Sequence, residues 1–381
     1  MRLTVYTDYT YARHDNGVYA ERAFALFLSA LSERIDRLVV VGRMRPTGGS
    51  SRYRLPDEVD FVGLPYYESL ARPLSASIAM ARSLRAFWRS LDDVDACWLL
   101  GPHPLALLFA ALAVLRGRRL VLGVRQDLVA YTRSRYPGRR LWVAAWALDA
   151  AFRLLARRCP VIAVGPDIAA SYAGSKAVLE ILVSLIDEAD VVGPSSGRRT
   201  EIGDEFEVLS VGRLESEKNP LLMADVLARL RDSDPRWQLT VCGEGPLAED
   251  LSERLRELGV ESAASLRGYV PLDGGLADLY RGATVLLHVS WTEGFPQVIL
   301  EAFAAGLPVV ATDVGGIRAA AGDAVRLIPA GDPDAAAREL QLVLQDPELR
   351  ARLVELGRLF ALDHTTAVEV DRVAGFIRAA L

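Results

Sequence analysis

Short β-rich apolar runs alternate along this chain with longer stretches in which apolar residues return every three to four positions. A strand buried on both faces reads as a continuous apolar run, whereas an amphipathic helix shows the three-to-four spacing, so the alternation predicts parallel α/β layers. In the first half the predicted strands are LTVYT, RLVVVG, VDFVGL, ACWLLG, RLVLGV and PVIAVG. In the second half they are EVLSVGR, WQLTVCG, ASLRGYV, TVLLHVS, LPVVATD and AVRLIP. Two sets of about six strands predict two doubly wound sheets. Between them EADVVGPSSGRRTEIGDE, residues 188–205, is rich in Gly, Ser and charge, as a boundary would be. The expected domains are therefore 1–190 and 205–360, and 381 residues suit two cores. Ligands in such sheets bind beyond the carboxyl ends of the strands, so a cleft shared by two facing sheets is the expected site.

Composition narrows this picture. The chain is 51% hydrophobic and 24% charged with a net charge of -5, and no run approaches the ~18 apolar residues needed to span a bilayer. The first residues, MRLTVYTDYT, lack the apolar core of a signal peptide. Cys97, Cys159 and Cys242 are far apart with no His or Cys at ligand spacing, which argues against a metal site or a disulfide framework and for a reducing, cytoplasmic setting. No metal, cofactor or nucleic-acid partner is expected. Charge is unevenly spread: residues 1–190 carry 25 Lys+Arg against 19 Asp+Glu, net +6, and the remainder 19 against 30, net -11.

Three turns carry the candidate chemistry. In SVGRLESEKNP (210–220) a strand ends at Gly212 and a helix starts near Pro220, which places Arg213 and Lys218 at a carboxyl end. A guanidinium fork and an ammonium suit a diphosphate leaving group, because charge grows on its oxygens as the bond breaks. In VCGEGPLAEDL (241–251) Gly243 and Gly245 superficially satisfy a dinucleotide fingerprint, but no acidic residue stands roughly 20 positions on, where the chain reads SLRGYV. These glycines either let backbone approach a nucleotide or make a tight turn. In WTEGFPQVILEAFAAGLPVVATDVGG (291–316) a strand breaks at Gly294 and Pro296, and the helix QVILEAFAAG follows. Glu293 then lies in the loop and Glu301 about a turn inside the helix. Buried glutamates without partners are costly, so a hydroxyl-rich ligand is the expected partner, with the N–H groups of residues 295–298 offered to a phosphate.

Taken in order, VGRLESEKNP, CGEGPL, EGFPQVILE and EAFAAGLPVVATDVGG resemble the retaining glycosyltransferases of family 4, also called group 1. The resemblance is specific over residues 207–335 and diffuse before them. It implies a GT-B fold of two Rossmann-like domains and a metal-independent, hexosyltransferase-type reaction, with a nucleoside-diphosphate sugar as substrate and no cofactor. It also implies that the last helix, about 366–381, returns to the N-terminal domain. By the family pattern Arg213 and Lys218 would bind the diphosphate and Glu293 the sugar. The loop Gly294, Phe295, Pro296, Gln297 and Val298 would hold sugar and phosphate through its amides. Glu301 would bind the ribose, Gly212, Gly243 and Gly245 would shape the donor pocket, and Gly268 and Tyr269 would flank the base. His103 in GPHP would stand beside the donor sugar, and Gly17 in DNGVYAERAF would open a helix near the phosphate. A nucleotide-sugar epimerase of the same fold and a non-catalytic partner subunit stay open as alternatives.

Two departures bear on the acceptor. GVRQD offers Arg125 and Asp127 where relatives often have His, and DVGG is followed by Ile317, Arg318, Ala319 and Ala320 where relatives often have Glu. Residues 116–158 hold 11 arginines against Asp127 and Asp149, interleaved with Tyr131, Tyr136, Trp142, Trp146 and Phe152. Positions 141, 145, 148, 152 and 155 form an apolar stripe expected to face inward. The tryptophans then either fill the interior or, with the arginines, meet an anionic headgroup surface. In the second case the acceptor is anionic or lipid-linked and the protein sits peripherally at the inner membrane face.

Overall fold

A computed structural model of the chain describes residues 1–46, 52–67, 73–135, 138–193 and 204–380. It separates into two compact units: Met1–Val129, Gly138–Leu185 and Thr366–Leu381 form the first, and Ala130–Pro137 with Ile186–Thr365 the second.

The first unit is built from β1 (Arg2–His14), β2 (Gly17–Ala20), α1 (Phe24–Ser32), β3 (Arg37–Met44), β4 (Tyr53–Arg54) and β5 (Asp60–Pro65). It continues through α2 (Pro73–Ser90), β6 (Ala96–Gly101), α3 (Pro104–Leu115) and β7 (Arg119–Val124). Then come α4 (Leu128–Arg135), most of which groups with the second unit, α5 (Arg139–Ala156), β8 (Pro160–Val164), α6 (Pro166–Ser171) and β9 (Ala177–Ile181). The parallel strands run β5-β3-β1-β6-β7-β8-β9. All six strands expected in this half form. β1 is longer than its apolar run because TYARH continues past an irregularity between Tyr6 and Thr10 and pairs with β2. Gly17 therefore opens a strand and not a helix. The two residues Asp15 and Asn16 turn the chain, Gly17 adopts φ 138 opposite His14, and the first helix waits until Phe24.

The second unit runs β10 (Phe206–Val211), α7 (Leu221–Ser233), β11 (Trp237–Cys242), α8 (Ala248–Glu257), β12 (Ala264–Leu266) and α9 (Ala277–Gly282). It continues with β13 (Val285–His288), α10 (Gln297–Ala304), β14 (Val309–Thr312), α11 (Ile317–Ala321), β15 (Val325–Ile328), α12 (Pro333–Gln345) and α13 (Pro347–Asp363). Its strands are all parallel in the order β12-β11-β10-β13-β14-β15. Successive strands add to one side as far as β12 and then to the other from β13. The loops leaving β10 and β13 consequently diverge at a topological switch point, where open α/β sheets hold their ligands. The expected strand ASLRGYV stops at Leu266, because Gly268 takes φ 64 and turns the chain away.

The last helix, α14 (Thr366–Ala380), belongs to the first unit. Its Val370, Val373, Ala374 and Ile377 enter that unit's core beside Phe27, Leu28 and Leu31 of α1, and Arg34 donates to Asp371 at 2.7 Å. Of the expected boundary, residues 194–203 lie outside the described residues. Among the described residues no helix is long and apolar enough to cross a membrane, and the three cysteines are buried and unbridged.

Candidate active site

The loop after β10 is held by backbone rather than by side chains. Leu214 is buried, its N–H donates to Glu244 O at 2.9 Å, and its own carbonyl accepts from Leu247 N at 3.0 Å. A Cβ on Gly243 would stand 1.7 Å from Gly212 O, and one on Gly245 2.3 Å from Leu214 O. The two glycines therefore serve the contact between the β10 and β11 loops. That contact requires glycine at both positions. Beyond Leu214 a 3-10 turn, Ser216–Lys218, ends at Asn219 in the left-handed conformation (φ 51), and α7 begins after Pro220. Arg213 and Lys218 thus flank one short, backbone-fixed loop.

The loop after β13 faces the same switch point. Gly316 N donates to Gly294 O at 3.1 Å, and a Cβ on Gly315 would lie 2.2 Å from Glu293 O, so the DVGG turn buttresses the Glu293 loop at close range. Arg318, in the stretch that departs from the family pattern, pairs with Asp313 at 2.5 Å and ties down that turn. Glu293 accepts from Lys218 Nζ and lies 3.0 Å from His288 Nε2, whose ring also meets Ser290 Oγ at 3.0 Å. Burial works against its charge, but Lys218 and His288 together hold its carboxyl well below the usual carboxylate range. The expected diphosphate ligand and the expected sugar ligand are therefore each other's counter-ion in this state.

Glu301 behaves differently. Burial raises its carboxyl, and Tyr280 Oη, itself fully buried, donates to Glu301 Oε2 at 2.7 Å. One glutamate is kept charged by Lys218 and the His288 hydrogen bond, and the other is raised by its burial. The loop's amides need one correction: Pro296 caps α10 and has no N–H, so the donors that precede the first intrahelical bond come from Gln297 and Val298. Phe295 turns its ring into the core against Phe360, centroids 5.8 Å apart. Gly268 and Tyr269 follow β12, with Glu244 Oε1 3.9 Å from the position of a Gly268 Cβ.

Residues 196–360, which contain this whole arrangement, match the sequence profile of the glycosyl transferases group 1. Over these residues the chain is similar to the group 1 glycosyl transferases. A D-inositol 3-phosphate glycosyltransferase of Streptomyces bingchenggensis is 37% identical over 207 residues, covering 49% of this chain and 45% of that protein. The chain thus spans about half the length of the curated relatives it matches. Among solved structures, a sucrose-phosphate synthase from Thermosynechococcus elongatus superposes with a TM-score of 0.75 at 18% identity, covering all of both chains. Anabaena HepE in complex with UDP-glucose gives 0.72, also at 18% and over all of both chains. The fold is GT-B, with two parallel-sheet α/β domains.

Arg213, Lys218, Glu293 and the start of α10 all come from the residues that match the group 1 profile. The remaining candidates come from the first unit. His103 caps α3: Nδ1 accepts from Leu105 N at 3.2 Å and lies 3.0 Å from Tyr6 Oη, while Nε2 lies 3.2 Å from Tyr67 Oη. Burial lowers its affinity for a proton, and two tyrosines fix the ring. Arg125 is not partnered with Asp127. Its guanidinium lies over Tyr9 at 4.5 Å and near Phe24 at 5.3 Å, whereas Asp127 Oδ1 accepts from Val129 N at 2.8 Å. Gly17 sits on Arg54 at the β1–β2 turn. Sequence reasoning missed His288 and Tyr280. The HVS ending of β13 was the only signal for the first, and nothing local marked the second.

In the basic stretch the expected stripe is buried at Ala145 and Phe152, partly buried at Leu148 and Leu155, and exposed at Leu141. On α5 the buried residues are Ala145, Asp149, Phe152 and Ala156, and Leu141 is exposed. Asp149 is drawn inward because Arg153 pairs with it at 2.6 Å and Tyr172 Oη donates to it at 3.3 Å, while Gly101 leaves room for the Phe152 ring. The opposite face carries Val143, Trp146 and Leu154, each about two-thirds exposed (64–66%). Trp146 therefore does not fill the interior. Tyr136 lies outside the described residues.

Proposed function

We propose that this protein is a retaining glycosyltransferase of family 4 that moves a sugar from a nucleoside-diphosphate sugar to an acceptor hydroxyl. The observation that carries the reading is the convergence of Arg213, Lys218, Glu293 and the α10 N-terminus at the switch point of one sheet, inside the residues that match the group 1 profile. Arg213 and Lys218 take the diphosphate, and the Gln297 and Val298 amides add donors at the positive end of α10. As the anomeric bond breaks, charge grows on the β-phosphate, and these fixed donors stabilise it more than the ground state. Glu293, released from Lys218, accepts from the sugar's hydroxyls, and Glu301 accepts from the ribose. Gly268 and Tyr269 lie at the base. The departing phosphate itself takes the acceptor's proton, which keeps the new bond on the face the old one left.

UDP is the first nucleotide to test, since HepE is a fold neighbour held with UDP-glucose. Ligand at 100 times its dissociation constant stabilises a fold by roughly 2.7 kcal/mol, so UDP, GDP, ADP and dTDP in a thermal-shift series should give one clear rise in Tm. No rise with any of them would count against the donor site.

The acceptor we propose is anionic, presented at or near an anionic bilayer. The exposed Val143, Trp146 and Leu154 lie on one side of α5, bracketed by exposed Arg139 and Arg140 before them and Arg157 and Arg158 after. The helix's acid, Asp149, is buried on the other side. An apolar strip with cations at both ends complements acidic headgroups, each basic residue contributing about 1 kcal/mol near such a surface. The full chain should co-sediment with vesicles of 30% phosphatidylserine at low salt, and Arg139→Glu/Arg140→Glu or Trp146→Ser should release it. Absence of binding at low salt would leave a soluble anionic acceptor, such as the inositol phosphate of the curated relatives' name.

A further inference from the structure

The chain places an arginine from far upstream on the loop that carries Arg213. Residues 130–137 lie between β7 and β8 in sequence, yet they group with the second unit, and α4 delivers Arg135 there. Its Nη1 donates to Glu215 Oε2 at 2.9 Å and lies 3.6 Å from Glu217 Oε1. Arg213 uses the same two acids: Nη1 donates to Glu215 Oε2, and Nη2 reaches Glu217 Oε1 at 3.5 Å. Arg135 is fixed from its own helix, since Nη1 also donates to Tyr131 Oη at 2.8 Å with the guanidinium 5.8 Å from that ring. Two guanidiniums and two carboxylates therefore form one cluster.

The burial of these acids gives the cluster its consequence. The side chain of Glu217 is 3% exposed, that of Glu215 18%, and Glu217 Oε2 is buried without a hydrogen-bond partner. Trp291 N donates to the Glu217 carbonyl at 2.8 Å and fixes the turn that carries it. Were Arg213 the sole counter-ion, turning it toward a diphosphate would leave the buried Glu217 and the half-buried Glu215 without a cation, and the cost would be subtracted from the affinity. With Arg135 in place the acids keep a cation after Arg213 leaves.

We propose that Arg135 is a positioning residue for the donor site: it neutralises Glu215 and Glu217 and so frees the Arg213 guanidinium for the diphosphate. This inference rests on the donor-site reading given under Proposed function. It also takes Arg135 out of the basic stretch assigned by sequence to the acceptor side and gives it to the donor.

Removing Arg135 should tighten the hold of Glu215 and Glu217 on Arg213 and weaken nucleotide binding, and removing the negative charge of Glu215 should undo the effect. Titration calorimetry of the full chain with UDP, or with whichever nucleoside diphosphate binds best, is run on four proteins: wild type, Arg135→Met, Glu215→Gln and the double variant. Groups in one ion network couple strongly enough that Arg135→Met should lose roughly tenfold in affinity, and the double variant should recover to within about threefold of wild type. Glu215→Gln alone should bind as tightly as wild type or more tightly, which keeps the test decisive if Arg135→Met does not fold. A wild-type affinity in Arg135→Met, a loss that Glu215→Gln does not rescue, or a tenfold loss in Glu215→Gln alone would overturn the proposal. A wild type that binds no nucleoside diphosphate would instead sink the donor-site reading on which it stands.

Discussion

Replacing Arg213 and Lys218 together by alanine is expected to lower sugar transfer by at least about 10³, since a single donor aimed at developing charge is worth roughly 10² to 10³ in rate. The two side chains leave the same loop, one on each side of the 3-10 turn, and that loop is fixed by the Leu214 backbone bonds and the Gly243 and Gly245 contacts, which neither substitution touches. Arg213 is 39% exposed and releases two acids that Arg135 still holds. Lys218 is the more delicate of the two, because it neutralises the buried Glu293; His288 at 3.0 Å remains to support that carboxylate. A cooperative unfolding transition should therefore survive while turnover collapses. Lys218→Arg, which keeps the charge but not the compact ammonium, should retain folding and recover part of the rate. Transfer by the double alanine variant within tenfold of wild type would remove both residues from the reaction.

The second large effect separates the glutamates. Glu301→Gln should weaken the free nucleoside diphosphate about tenfold or more, because a hydrogen bond to a charged group contributes roughly 1.5 to 3 kcal/mol and the ribose is present in that ligand. Glu293→Gln should leave that affinity within a fewfold and suppress transfer, because the sugar is absent from the diphosphate. Their opposite shifts give the pair distinct pH signatures. Glu301 is raised by burial, so as pH falls through its raised range it takes up a proton, loses its capacity to accept from the ribose, and nucleotide affinity drops; Glu301→Gln should flatten that profile. Glu293, held low by Lys218 and His288 against its burial, stays charged across the same window. The stabilities carry opposite signs too. What Glu293 contributes is present above its unfolded pKa and is lost only as pH falls through its depressed folded value, whereas what protonated Glu301 contributes is present at low pH and is lost as pH rises through its folded value. Calorimetry on both variants across pH checks the division, and equal losses of diphosphate affinity in the two would refute it.

Parallel strands buried on both faces announce themselves as continuous apolar runs, which is why the six long strands of the first sheet and the six of the second were legible from ACWLLG or TVLLHVS alone. Two further pieces of the first sheet were not: GVYA has little apolar run and AVLEI is broken by Glu180, although the Asn16-Gly17 pair was a local hairpin signal. Motif spacing placed Arg213, Lys218, Glu293 and Glu301 on the right turns, since each sits within a few residues of a strand end or helix start. What spacing could not supply was partnership at a distance. Tyr280 on Glu301, Lys218 on Glu293 and Arg135 on Glu215 are 21, 75 and 80 positions apart, and only the folded sheet brings them together. On α5 the inward positions Ala145 and Phe152 were legible but Asp149 was not, for a related reason: it looks like a surface residue until Arg153 and Tyr172 are placed beside it.

Transfer of a sugar from a nucleoside-diphosphate sugar, with Arg213, Lys218, Glu293 and Glu301 holding the donor, is tested most directly by following the fate of the sugar. Proton NMR of the full chain with UDP-glucose and related nucleotide sugars, first alone and then with D-inositol 3-phosphate or anionic-lipid vesicles, reports both nucleotide release and the anomeric configuration of the product. Nucleoside diphosphate release that an acceptor accelerates, an α-linked product from an α-linked donor, and loss of both in Arg213→Ala/Lys218→Ala are the expected results. Conversion of the nucleotide sugar into its epimer without an acceptor, or a β-linked product, would contradict retaining transfer.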